Sequence, residues 1–99
     1  MNNKQLHRIP PHLAQEILDN LVKFLKKDTQ IIDGEGRIIA SIRPEEKEDY
    51  SPEAIPLIQG KIKELYITPE DKRQIHGVKA SYSLPLFFEG EIIGAISIL

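Results

Sequence analysis

Apolar residues recur every three to four positions in the segment that follows the first ten residues. They form two adjacent rows, Leu13, Ile17, Leu21 and Leu25 in one and Ala14, Leu18 and Val22 in the other. This double row predicts an amphipathic helix whose apolar stripe is wider than a surface helix needs. Pro10 and Pro11 suit a helix start, so we expect the helix to begin near Pro11 or His12 and to end near Lys27-Asp28. The helix either covers only the core or also forms a dimer interface.

Two short apolar segments after this helix predict a β-hairpin. Residues 29–32 and 37–41 flank Asp33-Gly34-Glu35-Gly36, a strong turn signal because glycine readily accepts a positive φ. Each segment contains paired isoleucines instead of a strict alternation of apolar and polar residues. We therefore expect both faces of the sheet to be at least partly covered at this hairpin.

The second half of the chain alternates short helices with strands. The predicted elements are a charged loop at 43–51, a short helix from Ser51 to Gly60, a strand at 63–67, one or two helical turns from Thr68 to Gly77, and strands at 82–88 and 91–99. The clearest helix start is Ser51-Pro52-Glu53, because serine is a preferred N-cap and proline a preferred first helical residue.

This order of elements predicts an α+β fold. Two hairpins separated by short helices imply an antiparallel sheet packed against helices. We expect a PAS-like domain, with a five-stranded antiparallel sheet and with the N-terminal amphipathic helix and the short helices on one face. Residues 1–10 are expected to form a disordered or flexible tail, and residues 11–99 a single domain.

Composition restricts the class of protein. The 99 residues suit one domain, and a hydrophobic content of 40% argues against disorder. A net charge of −2 does not favour contact with a phosphate backbone. The chain has no cysteine, which excludes disulfides, thiolate metal sites and a cysteine nucleophile. Because neither a long apolar run nor a signal-peptide pattern is present, we expect a cytoplasmic protein with no membrane contact.

Candidate catalytic residues are few. His7 and His12 are separated by two prolines and are not a helical pair that could share a metal ion. No serine lies in a G-x-S-x-G turn, and Gly34-Glu35-Gly36 lacks the strand-to-helix setting of a phosphate-binding loop. We therefore expect no enzyme activity, no cofactor and no metal site.

Four segments, taken in order, resemble a known family. They are Leu13-Ala14-Gln15-Glu16-Ile17, residues 31–41, residues 77–86 and residues 88–96. Over roughly residues 13–99 the chain resembles the sugar-diacid recognition domain at the N-terminus of bacterial carbohydrate diacid regulators. The resemblance implies a sensor domain of a transcriptional activator that responds to glucarate, galactarate or a glycerate-like acid. Such regulators contact DNA through a C-terminal helix-turn-helix domain that is absent from this chain, so we expect no DNA contact here.

The chain departs from the family pattern in its polar loops. Where the family has arginine this chain has Glu46, where it has histidine this chain has Ser51, and two family glycines are Glu48 and Glu53. Arginine binds a carboxylate through two parallel hydrogen bonds, and additional carboxylates repel an anion. These departures should weaken the binding of a dianion.

The predicted ligand-binding residues carry hydroxyl or cationic groups: Ser41, Arg43, Ser51, Lys79, Ser81, Tyr82 and Ser83. Each can donate a hydrogen bond to a carboxylate, and the helix start at Ser51 would add backbone N–H groups. We expect a small-molecule sensor that signals through its N-terminal helix or through a homodimer interface. The alternative is a structural or dimerisation domain of the same fold that has lost diacid binding.

Overall fold

The computed structural model describes residues 9–71 and 80–99. The main elements are helix α1 (Pro11–Leu25), strands β1 (Thr29–Asp33) and β2 (Ile38–Ser41), a 3-10 turn (Pro44–Glu46), a second 3-10 turn (Pro52–Ala54) that continues into helix α2 (Ile55–Ile58), and strands β3 (Leu65–Ile67), β4 (Ser81–Phe88) and β5 (Glu91–Ile98). All five predicted strands are therefore present. The predicted turns between Asp71 and Gly77, and residues 1–8 of the predicted tail, lie outside the described residues.

Helix α1 begins at the predicted residue and ends slightly earlier than predicted. Pro10 is the extended N-cap and Pro11 is the first helical residue. Lys26 adopts a left-handed conformation with φ 55° and donates its backbone N–H to the carbonyl of Val22 at 2.8 Å. This left-handed C-cap ends the helix at Leu25, two residues before Lys27. Ile9 packs against the cluster beneath α1, so the packed chain includes the residues just before the helix.

The five strands form one antiparallel sheet in the order β2-β1-β5-β4-β3. The two predicted hairpins are β1–β2 and β4–β5. Strand β5 pairs with β1, which places the last strand of the chain at the centre of the sheet. The fold class predicted from the sequence, a five-stranded antiparallel α+β domain, is confirmed.

The helices cover opposite faces of the sheet, which corrects the prediction that they share one face. Ile31 packs with Ala14 and Leu18 of α1, whereas its neighbour Ile32 packs with Leu57 of α2. Consecutive residues of a strand point to opposite faces, so α1 and the short helices lie on different sides. We call these sides the helix face and the short-helix face. The expectation from the paired isoleucines, that both faces are covered, is confirmed.

The outer edge of β2 is covered by a glutamine side chain and by a loop. The backbone N–H of Ser41 donates to Gln15 Oε1 at 3.3 Å, and Gln15 Nε2 donates to the Ser41 carbonyl at 3.2 Å. Farther along the strand, Ile38 exchanges backbone hydrogen bonds with Glu48 and Asp49 at 2.7 and 2.9 Å. Gln15 thus takes the place of a further strand and joins α1 to the end of β2.

Candidate ligand-binding site

Four polar side chains form a row across the short-helix face of the sheet. They are Ser41 on β2, Gln30 on β1, Ser97 on β5 and Ser83 on β4. The strand register places each directly opposite the next, as Ser41–Gln30, Gln30–Ser97 and Ser97–Ser83. Because neighbouring strands lie about 4.8 Å apart, this polar row spans roughly 14 Å.

The polar row is buried. Ser41 and Ser83 are each 2% exposed, Ser97 is 6% exposed and Gln30 is 8% exposed. Ile32 on β1 and Ala95 on β5 lie on the same face, each two residues from a member of the polar row. Both belong to the apolar cluster beneath α2. The short-helix face therefore combines a line of hydrogen-bonding groups with an adjoining apolar surface, which is typical of small-molecule sites.

Ser83 and Ser97 form a hydroxyl pair at the β4 end of the row. Their Oγ atoms are 2.5 Å apart, and either can be the donor. A pair of hydroxyls has two protons and shares only one of them in the mutual hydrogen bond. Within the part of the chain that the structure describes, the hydroxyls of this pair make no other hydrogen bond. The pair can therefore donate to one further acceptor and can also accept hydrogen bonds.

A carboxylate occupies the β2 end of the row. Ser41 Oγ donates to Glu46 Oε1 at 2.7 Å, and Gln30 Nε2 donates to the same oxygen at 3.1 Å. The backbone N–H of Arg43 donates to Ser41 Oγ at 3.1 Å, which fixes the serine hydroxyl from the other side. Glu46 lies in the 3-10 turn directly after β2. Hydrogen bonds to an ionised group are the stronger kind, so this end of the row is firmly held.

Three of the predicted ligand-binding residues lie on β4, and they divide between the two faces. Ser83 belongs to the polar row, and the half-buried Ser81 lies two residues before it on the same face. Tyr82 lies between them and points to the helix face. Its hydroxyl donates to Glu64 Oε2 at 2.7 Å, and its ring packs edge-on against Tyr66. The hydrogen bond to Glu64 raises the pKa of Tyr82 above its ordinary value of 10.0.

Of the other predicted residues that the structure describes, Ser41 belongs to the polar row, whereas Arg43 and Ser51 have partners elsewhere. The guanidinium of Arg43 is half-exposed and pairs with Asp28 at 3.1 Å. Ser51 is buried, and its hydroxyl donates to Glu53 instead of accepting a hydrogen bond from a backbone N–H. The carboxylate of Glu53 therefore already occupies the hydrogen-bonding position at this helix start. Lys79 lies outside the described residues. The ligand-binding role of all seven residues stays a prediction.

Two members of the polar row, Gln30 and Ser97, were not among the predicted site residues. A signal for both exists in the sequence, because each polar residue adjoins isoleucines of its strand: Gln30 precedes Ile31 and Ile32, and Ser97 lies between Ile96 and Ile98. Strands that are buried on both faces are normally apolar throughout. A polar residue at such a position needs a hydrogen-bonding partner, so it is a candidate for a site.

An apolar groove lies on the opposite side of the sheet. This helix-face groove has a volume of about 440 Å³ and lies between α1 and strands β4 and β5. Its lining includes Leu13 and Ile17 from the helix and Leu86, Phe87 and Ile96 from the strands. Leu13 and Ile17 are each 42% exposed, so the apolar stripe of α1 is only partly covered by the sheet.

Within residues 9–71 and 80–99, no group of three or more His, Cys, Asp or Glu side chains could hold a metal ion. None of the helices in the same ranges is long and apolar enough to cross a membrane.

The fold identifies the class of protein. The cofactor-binding GAF domain of the nutrient sensor CodY from Clostridium difficile superposes with a TM-score of 0.59 at 14% identity, over 85% of this chain and 66% of that chain. The sensor domain of the V. cholerae histidine kinase DctB superposes with a TM-score of 0.61 at 16% identity, over 89% of this chain and 36% of that chain. This likeness shows the fold alone, an α+β domain of the PAS-like class.

The sequence identifies the family. A family described as "Putative sugar diacid recognition" matches residues 9–99, so the chain belongs to the sugar diacid recognition family. It is 32% identical over 87 residues to the carbohydrate diacid regulator of Escherichia coli K12, covering 87% of this chain and 22% of that protein. It is 27% identical over 90 residues to protein YsfB of Bacillus subtilis 168, covering 91% and 24%. The chain spans less than a quarter of either relative. The predicted family is confirmed, and it is a family of regulators, not of enzymes.

Proposed function

We propose that this chain is a sensor domain that binds a small hydroxy-acid along the polar row. The observation that carries the proposal is the row itself, four buried polar side chains on four neighbouring strands. A buried hydroxyl or amide needs a hydrogen-bonding partner, because burying one without a partner costs about 1–3 kcal/mol, and the Ser83–Ser97 pair still has one proton to donate. Membership of the sugar diacid recognition family supports a small acid as the ligand.

The chemistry of the row suits a polyhydroxylated ligand. Serine hydroxyls and a glutamine amide both donate and accept hydrogen bonds, as the hydroxyl groups of a sugar acid do. We therefore place the ligand on the short-helix face, over Ser97 and Ser83.

The bound state would be transmitted to α1 through Ser41. The hydroxyl of Ser41 belongs to the polar row, and its backbone is held by Gln15 of α1. A small shift of Ser41 would therefore move a hydrogen-bonded contact of the helix. The exposed apolar stripe of α1, with Leu13, Ile17 and the 85% exposed Phe24, is the proposed homodimer interface. We also propose that the domain is cytoplasmic and has no catalytic activity of its own.

Thermal unfolding with D-glycerate, glucarate and galactarate tests the proposal. A ligand at ten times its Kd adds about 1.4 kcal/mol to the free energy of unfolding, which raises the Tm by roughly 5–10 °C for a domain of this size. Ser97→Ala should abolish most of that shift. The matched control is Tyr82→Phe, which also removes one strand hydroxyl but on the helix face, and it should keep the shift. The absence of a shift with all three acids at millimolar concentration would refute the proposal for these ligands.

The second candidate is a structural or dimerisation domain that has lost its ligand. The contact of Glu46 with Ser41 and Gln30 favours it, because the protein itself satisfies these two donors. On this alternative none of the acids raises the Tm, and Ser97→Val, which replaces the buried hydroxyl by a methyl group and adds a second methyl group, leaves the fold intact.

A further inference from the structure

The carboxylate of Glu46 takes a position that a ligand carboxylate could take. One oxygen of Glu46 accepts hydrogen bonds from a hydroxyl and from an amide, Ser41 Oγ at 2.7 Å and Gln30 Nε2 at 3.1 Å. Both donors are buried members of the polar row. Ser41 is held in turn by the backbone N–H of Arg43. The β2 end of the row therefore already contains one negative charge that the protein supplies.

A ligand that lies along the row meets this charge. The next row position, Ser97, is one strand away from Gln30, so a ligand seated on Ser97 and Ser83 ends about 5–8 Å from Glu46. A second ligand carboxylate at that end would either displace Glu46 from its two donors or face it at this distance. A like-charge pair weakens binding by about 2-fold at 8 Å in water and by about 300-fold at 5 Å with an effective dielectric constant of about 20.

We propose that Glu46 is a specificity-determining residue that selects acids with a single carboxylate. Glu46 provides the second carboxylate from the protein, so the row accepts a polyhydroxylated monocarboxylate and disfavours a dicarboxylate. The carboxylate of the ligand lies at the β4 end, near the Ser83–Ser97 pair, and its hydroxylated end points towards Glu46. Because this selectivity rests on the proposed function, its test must separate a failure of selectivity from a failure of binding.

D-Galactonate and galactarate are suitable probes because they differ at one end, where galactonate has a hydroxymethyl group and galactarate has a carboxylate. Glu46→Gln removes the charge but keeps an oxygen that can accept from Ser41 and Gln30. Glu46→Ala removes the acceptor and leaves both donors for a ligand carboxylate. Glu45→Gln is the matched control, because Glu45 precedes Glu46 in the same 3-10 turn and is exposed.

Isothermal titration calorimetry measures the affinity of the wild-type chain and of the three variants for each acid. The wild-type chain should bind galactonate more tightly than galactarate. Glu46→Gln should raise the affinity for galactarate by about 2- to 300-fold and change that for galactonate by less. Glu46→Ala should favour galactarate still more and weaken galactonate. Glu45→Gln should change either affinity by no more than about twofold, because solvent screens an exposed charge.

Two results would overturn the proposal in distinguishable ways. If galactarate binds the wild-type chain as tightly as galactonate, or if Glu46→Gln leaves the ratio of affinities unchanged, Glu46 does not set the selectivity although the site binds acids. If neither acid nor D-glycerate binds any of the four proteins, the proposed function itself fails, and the selectivity fails with it.

Discussion

Substitution of Gln15 by alanine should loosen the contact between the candidate site and helix α1. Gln15 makes two hydrogen bonds to the backbone of Ser41, at 3.2 and 3.3 Å, in a half-buried setting. Each is worth about 0.5–1.5 kcal/mol, and the better helix propensity of alanine returns about 0.4 kcal/mol. We therefore expect Gln15→Ala to lower the free energy of unfolding by about 1–2 kcal/mol and the Tm by roughly 5–15 °C.

Chemical denaturation, followed by far-ultraviolet circular dichroism, measures this change. Glu16→Ala is the matched control, because Glu16 lies next in the same helix, is exposed and has nearly the same helix propensity as glutamine. It should leave the stability unchanged within about 0.5 kcal/mol. Gln15→Glu should also lower the stability, because a carboxylate cannot donate to the Ser41 carbonyl. Equal stability of Gln15→Ala and Glu16→Ala would refute the role given to Gln15.

Three further predictions concern other parts of the molecule. Gly94→Ala should destabilise the domain by about 3 kcal/mol or more, because its Cβ would lie 2.2 Å from the Ile32 carbonyl oxygen of the neighbouring strand; Gly34→Ala, whose Cβ has an ordinary contact at 3.5 Å, is the control in the same denaturation assay. Ile17→Lys should convert the proposed homodimer to a monomer with an unchanged circular dichroism spectrum, as measured by analytical ultracentrifugation, and a wild-type monomer would contradict that interface. Glu64→Gln should lower the pKa of Tyr82 towards 10.0 in an absorbance titration; because a raised pKa favours the protonated phenol, the stability that this contact adds is present below pH 10 and is lost at higher pH.

Local sequence patterns were sufficient to predict the elements and the fold class. The four-residue spacing of Leu13 and Ile17 located α1, and the glycine-containing turns located both hairpins. The paired isoleucines of β1 correctly indicated two covered faces. Assigning a particular helix to a particular face was not possible from these patterns, because that depends on where the chain crosses the sheet, which is a non-local property.

The candidate site was only partly predictable for the same reason. Ser41 and Ser83 were predicted as binding residues, but Gln30 and Ser97 complete the row only when the register of β1, β5 and β4 is known. Tyr82 was predicted because its hydroxyl can donate a hydrogen bond, yet alternation along the strand turns it to the other face.

The local pattern at Ser51 was misleading in one respect. Ser51-Pro52-Glu53 does begin a helical segment, as predicted, but the segment opens as a 3-10 turn. The backbone N–H of Ser51 donates to the Gly36 carbonyl at 2.7 Å, and its hydroxyl donates to Glu53. The long-range contact with Gly36 fixes the backbone of Ser51, and the hydroxyl then bonds the carboxylate two residues later. An N-cap pattern specifies where a helix starts but not which partner its hydroxyl chooses.

The proposed function requires that a small acid binds along the polar row on the short-helix face. Titration of the isotope-labelled protein with D-galactonate, followed by two-dimensional NMR, shows which residues the acid contacts. We expect concentration-dependent shifts of the Gln30 and Ser97 amides and of the neighbouring Ser83. The amides that line the helix-face groove, such as those of Leu13 and Phe87, should change much less. Shifts confined to that groove, or no shifts with D-galactonate, D-glycerate or galactarate, would contradict the account.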